Sequence, residues 1–380
     1  MAANPFKPTA GKMPPVLIGR QGIVDDFEQG LTNGAGAPER LMLLTGQRGY
    51  GKTVMLTELG RIARQHGWRV ISETATPGMC DRIIGALAEG TPRVGSADLS
   101  PSIDIGGLAS VSLGHLNLSP NETSLTLRST INAQLRKAKR GKGILFSIDE
   151  AQAASMEDMT SLATTLQHVI RDQDMTGEED VDKRGVAFAF AALPSLVDEL
   201  LNDKVLTFLR RAVRRELGPV PIADVKNAFV ASTTDSGKTI SPALALRAAR
   251  RTFGYPYMIQ LVGYYMWQSA ESRRSATIED MDVEAGISDA SGAFADAVCA
   301  PAYDGLTTAQ KSFILAMTQD QPADSRVSDV VGRVGKSASW GSKYRASLIE
   351  ARIIESAGYG LVRYAIPHFG DFLQARGKRL

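Results

Sequence analysis

The apolar positions of this chain change their spacing several times, and each change marks an element. Leu41, Met42, Leu43 and Leu44 form an unbroken apolar run that stops at a glycine-rich stretch. Such a run predicts a buried parallel strand leading into a loop. From Lys52 the spacing becomes helical, with Met55, Leu59, Ile62 and Ala63 on one side. Arg69, Val70, Ile71 and Ser72 read as the next strand. Strand, loop, helix and strand make a βαβ unit, which predicts a parallel sheet with helical crossovers. Residues 23–31 predict a short helix ahead of this unit, and residues 121–140 a longer one after it. Residues 143–148 and 185–192 are two further buried strands. Between the strand at 69–72 and the helix at 121–140, residues 91–120 are rich in Gly and Ser, with Ile103, Ile105, Val111 and Leu113 partly alternating. That pattern predicts a β-hairpin inserted into an α/β domain.

Beyond Pro219 the strand pattern gives way to helical spacing at residues 224–231, 242–252, 255–268 and 278–298. This predicts a small all-α domain, with Pro301 and Gly305 in a linker after it. The last segment predicts three helices: residues 306–317, then Val327 to Val334 stopped by Gly335, then one capped by Ser339. Trp340, Tyr344, Leu348 and Ile349 would form the inner face of the third. Two short strands at 353–356 and 361–366 follow, with a tail carrying Arg376, Lys378 and Arg379. The expected organisation is an arm at 1–16, an α/β domain at 17–219 with its insertion at 91–120, a helical domain at 220–300, and a C-terminal domain at 305–380.

A length of 380 residues supports two or three cores. The formal net charge of +2 gives no overall nucleic-acid signature. From residue 304 onward, however, 11 Lys and Arg face 7 Asp and Glu, a local +4. That is permissive for nucleic acid without being diagnostic. Cys80 and Cys299 have no metal-ligand neighbourhood and read as reduced thiols. The four histidines are dispersed, without metal-ligand spacing. Neither a signal peptide nor an apolar run near 20 residues is legible, so the expected setting is the cytoplasm, without a membrane span.

The loop after the first strand reads Gly46, Gln47, Arg48, Gly49, Tyr50, Gly51, Lys52, Thr53. Phosphates need many donors at short range, and glycines let backbone N–H groups approach them. The helix that opens at this loop adds its positive dipole end. In this spacing Lys52 would neutralise the β- and γ-phosphates, and the Thr53 hydroxyl would ligate Mg²⁺. The expected ligand is therefore ATP with Mg²⁺. About a hundred residues on, the strand at 143–148 delivers Asp149 and Glu150 to the same sheet edge. Asp149 suits Mg²⁺, and Glu150 suits the general base that polarises the attacking water.

Together these motifs resemble the AAA+ ATPases. The similarity is to the branch with the origin-recognition and initiator ATPases and their STAND-like relatives. Ile18, Gly19 and Arg20 are similar to the box that lines the adenine pocket in that branch. Residues 254–260 look like its helical lid. The resemblance implies a P-loop NTPase core with a parallel sheet, an α-helical lid, ATP between core and lid, and assembly of copies when ATP binds. Two departures stand out. The strand holding Ala191 and Ala192 has no polar sensor. The lid has no arginine near Tyr257, where the family often contacts the γ-phosphate, although Arg247, Arg250 and Arg251 lie nearby. Arg211, and after it Arg210, fits an arginine finger acting in trans. The alternative is a solvated basic face on a short helix.

Three helices and a hairpin resemble a winged helix-turn-helix, whose third helix enters the major groove. Ser342, Lys343, Arg345 and Ser347 would face outward from that helix. Tyr359 and Arg363 would sit on the wing. These are donors suited to double-stranded DNA, although a winged helix also serves as a protein-docking module. Two functions remain open. One is an ATPase that couples nucleotide state to DNA binding. The other is a slow ATP-hydrolysing switch that regulates a protein partner.

Overall fold

The computed structural model describes residues 3–9, 18–46, 49–88, 120–193 and 210–377. Gln47, Arg48, the insertion up to residue 119, and the tail residues Lys378 and Arg379 lie outside the described residues. The chain divides into two compact units.

One unit, Gln21–Arg48 with Lys52–Leu217, is an α/β layer structure. Its strands are β1 (Leu41–Thr45), β2 (Arg69–Thr74), β3 (Gly143–Asp149), β4 (Gly185–Ala192) and β5 (Val213–Glu216). They lie in the order β2-β3-β4-β1-β5, and every pairing is parallel. The helices are α1 (Gln21–Asn33), α2 (Lys52–Gln65), α3 (Met79–Ala88), α4 (Pro120–Lys137) and α5 (Met156–Asp174). Alternation within the strands sorts their side chains by face. Ile144, Phe146, Ile148, Val186, Phe188 and Phe190 share one core with Ile83, Leu127, Ile131, Leu162 and Leu166 of α3, α4 and α5. β4 is buried along its whole length, as a central parallel strand must be. α5 starts where Ser155 accepts a hydrogen bond from the Asp158 N–H, an N-cap that satisfies an orphan donor.

The arginine-rich stretch at 210–215 is not the short helix expected from sequence. Arg210 and Arg211 sit in a 3-10 turn, and the chain then enters the edge strand β5. Ala212 and Leu217 are buried at its two ends, so the strand is anchored by apolar residues while Arg214 stays exposed. Charges along an edge strand discourage further strand pairing.

The other unit comprises Met1–Arg20, Gly49–Gly51 and Gly218–Leu380. Its first helices are α6 (Ile222–Asp235), α7 (Pro242–Arg251), α8 (Pro256–Ser272) and α9 (Asp280–Phe294). Strands do not vanish here, as the helical spacing suggested. β6 (Thr239–Ile240) and β7 (Thr277–Ile278) pair in parallel. Ile278 belongs to that strand, because the Glu279 and Asp282 capping box starts α9 after it. The expected linker is helical too. A π turn over Ala295–Cys299 runs from α9 into α10 (Ala300–Asp304). Pro301 is tolerated because it falls in the first turn of α10.

Then come α11 (Thr308–Met317), β8 (Ser325–Arg326), α12 (Val327–Val334), α13 (Ala338–Glu350), β9 (Ile354–Gly358) and β10 (Leu361–Tyr364). The small sheet has the order β8-β10-β9 and is antiparallel. Ser337, not Ser339, caps α13, accepting from the Trp340 N–H. The tail expected after β10 instead forms α14 (Phe369–Gly377), because Phe369 and Leu373 repeat at helical spacing and are fully buried. One continuous core joins Phe229, Met258 and Val262 to Phe313, Leu348, Val362 and Phe369. Both cysteines are buried and free, and burial pushes the Cys299 thiol up to about 12.

The described part of the arm, residues 3–9, is docked on this unit. Asn4 Nδ2 donates to the Tyr264 carbonyl at 3.0 Å, and the Lys7 N–H donates to Gln260 Oε1 at 2.9 Å. Phe6 is 2% exposed and meets Phe229 edge-on at 5.7 Å. Gly263 makes the space, since a Cβ there would lie 2.4 Å from the Phe6 ring. Phe6→Ala is expected to cost roughly 3 kcal/mol of stability. A shift of the urea midpoint checks this, and an unchanged midpoint would show that the arm is not held in solution.

Candidate nucleotide-binding site

The parallel register brings three loops to one edge of the sheet. Thr45 of β1 is level with Ala192 of β4, and Ile148 of β3 is level with Phe190. β4 lies between the strand that leads to the phosphate loop and the strand that carries the acids. Ligands of open α/β sheets bind outside the carboxyl ends of such strands.

Gly46 has φ 152, and a Cβ there would lie 2.5 Å from the Leu217 carbonyl oxygen. Gly49 has φ 80, and a Cβ there would overlap the Tyr255 hydroxyl. Both positions therefore require glycine. Lys52 opens α2, is 6% exposed, and donates through Nζ to the Gly46 carbonyl at 2.9 Å. The ammonium is thus held over the loop that would curl around phosphates. The Thr53 hydroxyl donates to Asp149 Oδ2 at 2.5 Å across 96 residues of sequence. A hydroxyl and a carboxylate sharing one point are hard oxygen donors, the set that suits Mg²⁺. A cavity of about 420 Å³ opens beside them, lined by Thr53, Glu73, Thr76, Arg82, Ser147 and Asp149.

Asp149 accepts from the Glu150 N–H through Oδ1 at 2.8 Å. Glu150 has φ 52, a left-handed conformation that is sparse for a residue with a side chain. Such outliers cluster at functional sites. Two residues of this site escaped sequence reasoning. Gln152 contacts the Glu150 carboxylate, and its polar type two positions beyond the acid pair was the available signal. Arg82 binds Glu73 and the Thr74 and Thr76 carbonyls, and nothing in its sequence context marks it.

Ile18 packs against the core of the second unit, and Gly19 turns at φ 65. Arg20 donates to the Gly218 carbonyl. Burial pulls its guanidinium below its ordinary range, while Tyr50 opposes the shift. The Tyr50 ring meets Tyr255 edge-on at 5.3 Å. Arg247, one candidate for the absent lid arginine, pairs with Asp280 at 2.8 Å and with Glu284. Arg211 is exposed, and among the described residues it has no hydrogen bond or ion pair.

On α13, Ser342 and Lys343 are exposed. Arg345 leans to the hairpin and donates to Ser356 Oγ at 3.2 Å. Ser347 does not face outward as expected. It is partly buried and accepts from Gln310 Nε2 at 2.8 Å, because α11 packs over that side. Arg363 is exposed but paired with Asp324 at 2.9 Å. Tyr359 stands fully exposed at the hairpin tip.

The strand order and phosphate loop define a P-loop nucleotide-binding fold. Residues 16–176 match the family model of an AAA ATPase domain, and residues 296–373 match a domain of unknown function (DUF8462). Residues 16–176 are thus similar to the AAA ATPase domain family, and the chain as a whole shares its fold with two solved structures. It is similar to the ORC2 protein of Aeropyrum pernix, solved as ADPNP-ADP complexes, with a TM-score of 0.59 and 13% identity over 98% of both chains. It is also similar to Cdc6p of Pyrobaculum aerophilum, with a TM-score of 0.52 and 15% identity over 98% of this chain and 97% of that one. No curated protein matches the sequence significantly. Among the described residues no helix is long and apolar enough to cross a membrane.

Proposed function

We propose that this chain hydrolyses ATP and couples its nucleotide state to duplex DNA through its C-terminal domain. One observation carries the hydrolytic part: Thr53 and Asp149 meet at 2.5 Å, with Glu150 next in sequence. Gly46, Gln47, Arg48, Gly49, Tyr50 and Gly51 would wrap the phosphates, with Lys52 as counter-charge. Ile18, Gly19 and Arg20 would flank the base. Mg²⁺ held by Thr53 and Asp149 would neutralise charge on the β- and γ-phosphates. Glu150 would take the proton of the attacking water. Arg211, exposed beside the sheet edge, would reach a neighbouring copy and stabilise transition-state charge there. The setting proposed is the cytoplasm.

The winged-helix reading of residues 305–380 is supported by three helices, with β8 between the first two, and a closing hairpin β9-β10 that pairs with β8 in an antiparallel sheet. Lys343 and Arg345 on α13, with Arg363 and Tyr359 on the hairpin, would meet phosphates. Lys343→Ala with Arg345→Ala is expected to weaken duplex binding about tenfold or more. It should also reduce the slope of log affinity against log salt by about two. Fluorescence anisotropy over a salt series measures both. Wild-type protein that shows no salt-dependent binding to any duplex removes the DNA reading.

A slow switch acting on a protein partner is favoured by one feature. Ala191 and Ala192, fully buried at the end of β4, offer no polar group to a γ-phosphate. ATP that co-purifies tightly, with no response to DNA, would select that reading.

A further inference from the structure

The polar contact that β4 lacks is made from the neighbouring loop. Gln152 lies in the 3-10 turn Ala151–Ala153, directly after Glu150 and partly buried. Both ends of its amide are engaged. Nε2 donates to Glu150 Oε2, and Oε1 accepts from the Leu193 N–H at 3.3 Å. A backbone N–H can only donate and an ionised carboxylate can only accept, so the amide has one orientation. Leu193 follows the last residue of β4. The Glu150 carboxylate is thereby tied to the end of the strand whose own last residues are alanines. Glu150 also holds a left-handed backbone at φ 52, which persists only where neighbours enforce it.

We propose that Gln152 is a positioning residue for hydrolysis, doing from the loop what a polar side chain on β4 would do. The inference rests on reading Glu150 as the general base. Gln152 occupies Oε2 and so turns Oε1 toward water. Oε1 accepts a water proton as the water oxygen bonds to the γ-phosphorus. The bond from that phosphorus to the bridging oxygen breaks, and ADP leaves with that electron pair. Gln152 itself transfers no proton. Because its other end reads the Leu193 N–H, a shift at the end of β4 would move the base.

The test compares Gln152→Ala and Gln152→Glu in the full chain, with a thermal melt to confirm folding. Gln152→Ala should lower kcat about tenfold or more. The Kd of a fluorescent ATP analogue should stay within twofold. Gln152→Glu keeps an acceptor for the Leu193 N–H but sets a second carboxylate against Glu150. The two carboxylates repel, so Glu150 should leave its held position and kcat should fall about tenfold or more here as well, with analogue binding within twofold of wild type. A purely structural tie would lower the melting temperature and leave the kcat of the folded protein in place. If both variants keep kcat within twofold, the proposal is wrong. A rise in kcat also overturns it, since Gln152 would then restrain Glu150. Wild-type protein that releases no phosphate overturns the hydrolytic reading, and this inference with it. A wild type that hydrolyses and a Glu150→Gln that does not, beside an unaffected Gln152→Ala, overturn this inference alone.

Discussion

Glu150→Gln should reduce ATP turnover by roughly a hundred- to ten-thousand-fold while ATP affinity changes by less than a few-fold. The substitution keeps the size and the acceptor oxygen of the side chain but removes the group that takes a proton. The contact between Thr53 and Asp149 does not involve Glu150, so the cation site should survive. The backbone of residue 150 donates to Asp149 Oδ1 whatever its side chain. Binding and chemistry should therefore separate cleanly. Phosphate release measures the first effect, and equilibrium binding of a fluorescent ATP analogue the second. Loss of binding together with turnover would mean that Glu150 holds the nucleotide rather than activating water.

Lys52→Ala acts on the other half of the site. Its ammonium is buried at the mouth of α2 and donates to Gly46. A bound polyphosphate would take over that donor. Hydrogen bonds from a charged group contribute about 1.5–3 kcal/mol each. ATP affinity should therefore fall about a hundredfold, by calorimetry. Mg·ATP should then no longer raise the melting temperature, because a ligand stabilises only the state that binds it. A variant that is still stabilised by Mg·ATP as strongly as wild type would remove Lys52 from the phosphate site.

The strands and the phosphate site were legible because their signals are local. Leu41 to Leu44 run unbroken into glycine, and residues 143–148 run unbroken into two acids. A run of that kind fixes both the strand and the edge on which its last residue emerges. The cap of α13, by contrast, reads as Ser339 from sequence, yet either serine can cap, and in the fold it is Ser337 that accepts from the Trp340 N–H. The arginines at 210–215 carry no apolar stripe of their own. Their strand exists because β1 offers an open edge to pair with, a long-range fact that periodicity does not contain. Ser347 follows the same logic: its outward position on an isolated helix becomes a contact with Gln310 once α11 packs beside α13. The docked arm depends on Phe6 finding Gly263, a pairing 257 residues apart that no short window can register. Gln152 is not legible in the sequence, because glutamine is common in polar loops and its meaning comes only from the two atoms it joins.

The most direct measurement is the steady-state rate of phosphate release by the full chain with saturating Mg·ATP, as duplex DNA is titrated. Multiple turnovers that accelerate as duplex is added, and that are absent in Glu150→Gln, are the expected result. A phosphate release no faster than that of Glu150→Gln, with or without duplex, would contradict it.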